Sequence, residues 1–291
     1  MRRLIAALAV LAGVVSACST GGSGGPSSTP PSPQSVVSAV PSTSSAAVRT
    51  STSRATPHRT PTGRTTPHSV TPSATHRSSP TVTFPGGSGP LVVLDPGHNG
   101  GNASHPAQIN RLVPAGFNRM KPCNTTGTNT NAGYPEHAFN WDVALRTRAI
   151  LRAHGVRVLM TRSDDTGVGP CVNQRAAIQN TKGVRLAVII HADGAPSSGH
   201  GFHVNEDSRL PDGATEATRV LSHALTVAEH DALLHGSGLT TSTYFGQDGY
   251  VKRDDFAGLN LSRVPTTFLE LGNMRNAGDA ALQTSASGRQ R

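Results

Sequence analysis

The sequence predicts an α/β fold: a single domain on a mainly parallel or mixed sheet flanked by helices, behind a long disordered tether. Three observations predict it. Short aliphatic and β-branched runs recur at 91–94, 156–160, 186–190, 201–204 and 266–269, each bounded by turn residues. Continuous apolar runs of that length belong to strands buried on both faces. Helical segments lie among them, and strands that alternate with helices favour a sheet covered on both sides. Finally, residues 1–89 contain no Asp or Glu and are dense in Ser, Thr, Pro and Gly, so the domain is confined to 90–291.

The elements follow in order. Residues 1–17 open with Arg2 and Arg3, continue through an apolar run to Val15 and end in small residues. That is the form of a signal peptide, too short to span a bilayer as a mature helix. Val15-Ser16-Ala17-Cys18 resembles a bacterial lipobox, in which the Cys is acylated; ordinary cleavage after Ala17 is the alternative. We expect lipidation of Cys18, and with it a membrane anchor. Either way the domain works outside the cytoplasm, lipid-anchored to the outer face of the plasma membrane or secreted. Residues 18–89 read as a linker, because Ser-Thr-Pro composition buries too little apolar surface to offset ordering entropy. Some 70 flexible residues reach about 50 Å.

Within the domain, Pro135 and Glu136 open an amphipathic helix whose apolar face carries Phe139, Val143 and Leu151, and Gly155 stops it. Residues 171–180 and 216–234 are two further helices. Residues 246–259, rich in Gly and charge, read as a substrate-facing loop rather than core.

Charge excludes one class of function. The net charge is +9, but seven of the 26 Lys and Arg precede position 90, leaving 19 against 17 acidic residues in the domain. Positive charge that is dilute, and carried mostly on an arm whose arginines have no aromatics interleaved among them, argues against a nucleic-acid partner. The cysteines are equally informative. With Cys18 taken by lipid, Cys123 and Cys171 remain in an oxidising compartment, where a disulfide is expected and two separate thiols are the alternative.

Three apolar runs end in polar residues: 91–94 leads into Asp95-Pro-Gly-His98-Asn99, 186–190 into His191-Ala-Asp193, and 266–269 into Glu270-Leu-Gly-Asn273. Ligand sites of open α/β sheets form beyond the carboxyl ends of strands, so these residues could converge on one rim, with Glu136 reaching it from its helix. Two imidazoles and a carboxylate make a sensible zinc site. Each residue alone is weak evidence, since a helix-start Glu is more often a dipole or capping partner. Asp95 and Asn99 are candidates for orienting His98 or for simply forming the turn. Arg175 reads better as a structural ion pair than as a ligand for a peptide carboxylate. His105, His137 and His203 are expected to be bystanders.

Leu94-Asp-Pro-Gly-His98-Asn-Gly, Glu136, Ile190-His191-Ala-Asp and Leu269-Glu270-Leu-Gly-Asn-Met-Arg-Asn276 resemble the four successive motifs of the zinc-dependent N-acetylmuramoyl-L-alanine amidases. Segments at 124–127 and 169–171 extend the similarity to the compact mycobacterial-type members. The resemblance spans nearly all of the domain. It implies a six-stranded sheet, a Zn²⁺ cofactor held by His98, Glu136 and His191, and Glu270 as the catalytic carboxylate. The implied activity is cleavage of the peptidoglycan amide between N-acetylmuramic acid and L-alanine of the stem peptide, by a zinc-activated water with Glu270 as general base and acid. A catalytically silent zinc- or wall-binding lipoprotein that recruits other hydrolases is the competing class; a metallopeptidase cutting within the stem is another. A monomer is expected. Members of the family commonly continue past the Gly288-Arg289-Gln290 segment into a closing helix, so a shortened domain or an incomplete reading frame is expected here.

Overall fold

The computed structural model describes residues 88–291. The signal, Cys18 and nearly all of the tether lie outside the described residues. A six-stranded mixed sheet runs in the order β4-β1-β5-β8-β6-β7. Its strands are β1 (Leu91–Pro96), β4 (Arg157–Met160), β5 (Val184–Asp193), β6 (His203–Asp207), β7 (Tyr250–Arg253) and β8 (Thr266–Asn273). The first four in that order are mutually parallel; β6 runs antiparallel to β8, and β7 parallel to β6. A short hairpin, β2 (Leu112–Pro114) with β3 (Met120–Pro122), stands apart from the sheet. β1 and β8 are buried along their whole lengths, as expected of runs covered on both faces.

The helices divide between the two faces. On one side lie α2 (Glu136–Ala153) and α4 (Glu216–Gly236). Phe139, Ala144 and Leu151 of α2 and Leu225 of α4 join Val92, Leu94, Leu186, Val188, Ile190, Leu269 and Leu271 in the main core. On the other side lie the shorter α3 (Val172–Gln179) and α5 (Ala257–Asn260), over two smaller clusters built on Leu91, Val93 and Ala187 and on Ile189, Leu259 and Phe268. The chain also forms a four-residue α1 (Pro106–Ile109) and closes with α6 (Ala277–Thr284) and α7 (Ala286–Gln290).

Most elements fall where the sequence placed them. The stretch 246–259 departs from the loop expectation: it contains β7 and the start of α5, and only its second half faces the cleft described below. The run at 201–204 is displaced as well, since Phe202 precedes the strand and β6 continues through Asn205 and Glu206, both buried. A disulfide joins Cys123 to Cys171, tying the segment after β3 to the start of α3. Among the described residues no helix is long and apolar enough to cross a membrane.

Candidate metal centre and its cleft

The polar residues at the ends of β1, β5 and β8 meet in a half-open cleft of about 570 Å³. His98, Glu136 and His191 each offer a ligand atom, all within 4.8 Å of one another. Glu136 Oε1 lies 3.1 Å from His98 Nε2 and 2.8 Å from His191 Nδ1. The two imidazoles meet edge to face, with centroids 4.7 Å apart.

Each side chain is held by the local fold. His98 adopts φ 58°, a left-handed conformation that needs outside support in a residue with a Cβ. Arg175 supplies it from α3: Nη2 donates to the His98 carbonyl and Nη1 to the Pro96 carbonyl, both at 2.7 Å, and Nη1 also reaches Asp95 Oδ1 at 2.8 Å. That buried guanidinium is committed to structure, as expected, and Asp95 is its partner rather than a support for the imidazole. Asn99 caps the turn, accepting from the Gly100 amide at 3.0 Å. The group that orients His98 is instead the Thr125 carbonyl, 3.0 Å from Nδ1. A carbonyl only accepts, so Nδ1 donates to it and Nε2 is the nitrogen that faces Glu136.

Glu136 begins α2, and its Oε2 accepts from the Thr128 amide at 2.9 Å. Burial pushes its pKa up, but the His98 charge and hydrogen bonds from His191 and His98 prevail, holding the carboxyl well below the usual range. Burial lowers the pKa of His191 against the pull of Glu136, which favours the neutral imidazole that a metal requires. The His191 ring stacks on Phe268 at 4.6 Å and sits against Gly97, where a Cβ would fall 2.1 Å from Nε2. Only glycine fits there. Gly127, at φ 77°, is confined likewise by His98 and Glu136.

Glu270 stands directly across the β5–β8 pairing from His191. It is buried, and its pKa is raised well above the ordinary value, first by burial and then by the charges of Glu136 and Asp193, with Arg253 opposing. Lys121 and Arg275 also line the cleft. His105 hydrogen-bonds locally to Gly101 and Ser104, and His137 pairs with Asp165 at 2.8 Å; neither lines the cleft. His203 is different. It lies buried opposite Glu270 on β6. Sequence reasoning missed two features, the Thr125 carbonyl and this placement of His203; only the Asn124-Thr125 segment of the family resemblance hinted at the first.

Comparison with known proteins agrees with this geometry. Residues 92–291 match the Amidase_3 family model, described as N-acetylmuramoyl-L-alanine amidase. The chain is 46% identical over 204 residues to N-acetylmuramoyl-L-alanine amidase Rv3717 of Mycobacterium tuberculosis, covering 70% of this chain and 82% of that protein. Among solved structures it is similar to the amidase Ami1 of Mycobacterium smegmatis, at 46% identity and a TM-score of 0.64, covering 69% of this chain and 90% of that one. The apo form of Ami1 from Mycobacterium abscessus gives 47% identity and a TM-score of 0.63, with coverages of 69% and 92%. The chain described here therefore belongs to the N-acetylmuramoyl-L-alanine amidase family.

Proposed function

We propose that this amidase hydrolyses the peptidoglycan amide between N-acetylmuramic acid and L-alanine, with His98, Glu136 and His191 holding zinc and Glu270 moving the proton. The observation that carries the reading is the convergence of two imidazoles and a buried carboxylate at a cleft that contains a second buried carboxylate. Two His and one Glu are a known zinc donor set, and His98, Glu136 and His191 would hold the ion. The residues fit the ion: His98 is fixed with Nε2 inward by the Thr125 carbonyl, burial lowers the pKa of His191, and the neighbouring imidazoles hold the Glu136 carboxyl well below its usual range.

When bound, zinc supplies Lewis acidity toward the scissile carbonyl and lowers the pKa of water. Glu270 does the rest of the proton work. Its burial beside Glu136 and Asp193 strengthens its hold on a proton, which suits a group that takes one from water and returns it to the leaving amine. The return step matters because an unprotonated amine is a poor leaving group. Thr125 keeps the His98 tautomer, and Arg175 keeps the backbone from which His98 projects.

Action on peptidoglycan puts the domain outside the cytoplasm. Lipidation of Cys18, tethering through 18–89 and a monomeric state complete the reading. The direct test is mass spectrometry of muropeptide digests with and without a chelator. An amidase releases intact stem peptide and unsubstituted muramic acid, and the chelator stops it. Fragments cut within the stem would identify a peptidase, and no product at any zinc concentration would leave only a binding role.

A further inference from the structure

The row of side chains that begins with His191 does not end at Glu270. Across the antiparallel pairing of β6 with β8, His203 stands directly opposite Glu270. Opposed residues of that kind project from the same face with Cβ atoms about 5 Å apart. His203 is 1% exposed, with the rings of Tyr244 and Phe245 at 6.0 and 5.4 Å. Two buried polar atoms of this pair have no hydrogen-bond partner among the described residues: His203 Nδ1 and Glu270 Oε2. A buried polar atom left unsatisfied destabilises the fold, and two on opposed residues admit a common partner.

Asp193 supplies the next step. Its Oδ2 lies 3.4 Å from His203 Nε2, and a carboxylate there keeps the ring proton on Nε2. His203 Nδ1 is then an acceptor, as is Glu270 Oε2, and one water donating a hydrogen to each satisfies both.

We infer that His203 is a positioning residue for Glu270. Through a shared water it fixes Oε2, so that Oε1 is the oxygen presented to the cleft. Asp193, at the end of β5, sets the tautomer. The proton taken from the attacking water stays on Oε1 throughout and passes from there to the amine. The inference rests on the proton-transfer role proposed for Glu270.

Three substitutions test it. Asn places an acceptor oxygen near the position of Nδ1, Gln places its amide near Nε2, and Leu keeps neither. His203→Leu should lower kcat on muropeptide at least tenfold, with KM within twofold and zinc content unchanged. His203→Asn should recover most of that loss and His203→Gln little of it. Wild-type kcat in the Leu variant overturns the inference, and so does recovery by Gln but not Asn, which would mean that only the Asp193 contact matters. Should the Leu variant fail to fold, the order of Asn above Gln decides alone. Controls separate the two levels: full activity in Glu270→Gln overturns the role of Glu270, whereas an inactive Glu270→Gln with an unaffected His203→Leu overturns only the inference.

Discussion

The two faces of the sheet solve the same packing problem by different means. One is covered by two long helices, of 18 and 21 residues, over a large aliphatic core. The other has helices of eight and four residues, two small apolar clusters, a buried arginine network and a disulfide. The candidate site sits at the rim of the second, which Glu136 reaches from the start of α2. A site needs room and polar groups, and both remove apolar area that would otherwise stabilise the fold; cross-links and charge-assisted hydrogen bonds replace it. Buried carboxylates sharpen the contrast. Glu270 faces a polar cleft, and its shift records Glu136, Asp193 and Arg253 as well as burial. Glu229, on α4, lines an apolar cavity of about 450 Å³ beneath the long helices, and burial alone pushes it up to about 7. A raised carboxyl is thus not by itself a catalytic one.

The largest effects should fall on the cleft side. Glu270→Gln should reduce kcat by about three orders of magnitude, within the range for loss of a general acid–base group, while zinc content stays at the wild-type value. His191→Ala should lose zinc as well as turnover. Elemental analysis beside a muropeptide assay distinguishes them. A Glu270→Gln enzyme with normal turnover would remove the functional difference between the two carboxylates.

The next effect concerns what holds the cleft face together. Cys123 lies two residues before Thr125, whose carbonyl orients His98, and the bond to Cys171 spans 48 residues of chain. Replacing both cysteines by Ala should cost about 2–4 kcal/mol, read as a lower urea midpoint, and should weaken zinc binding because Thr125 is less firmly placed. An unchanged midpoint would show that the arginine network suffices. The opposite face provides the control: its helices carry no cross-link, and reductant should leave the wild-type contacts there intact.

The same contrast explains what was legible in the sequence. The apolar face announces itself through periodicity, so α2 and α4 could be placed within about two residues and the strands β1, β5 and β8 located, although β5 and β8 run three and four residues past their apolar runs and take His191 and Glu270 into the sheet. Strand β7 could not. It is an edge strand with a single buried residue, Val251, within Tyr-Val-Lys-Arg, and it carries no alternation strong enough to outweigh the surrounding glycines. On the cleft side, side chains at strand ends were visible as candidates, but residue pattern alone left their convergence open and family resemblance carried the assignment. The Thr125 carbonyl was invisible because a backbone acceptor has no residue signature. His203 was passed over because its significance lies in β6 pairing antiparallel with β8, which no local pattern encodes.

The smallest predicted effect isolates burial from chemistry. Glu229 binds its proton more tightly folded than unfolded, with a pKa near 7 against an ordinary value of about 4.3. Between those values the native state holds a proton that the unfolded chain has released. Stability therefore falls as pH rises through this window and levels off above about 7. The shift corresponds to at most about 4 kcal/mol. Glu229→Gln keeps the shape and removes the titration, so its Tm should exceed that of wild type by several degrees at pH 8 and converge with it near pH 4. Turnover should be unchanged at 25 °C, because Glu229 lines the apolar cavity and not the cleft. If the Gln variant kept the wild-type fall in Tm between pH 5 and 8, Glu229 would have access to water and the apolar cavity would be open to solvent. If turnover fell with it, the two faces would be coupled through β8, whose Leu269 and Leu271 line that cavity while Glu270, between them in sequence, faces the other way.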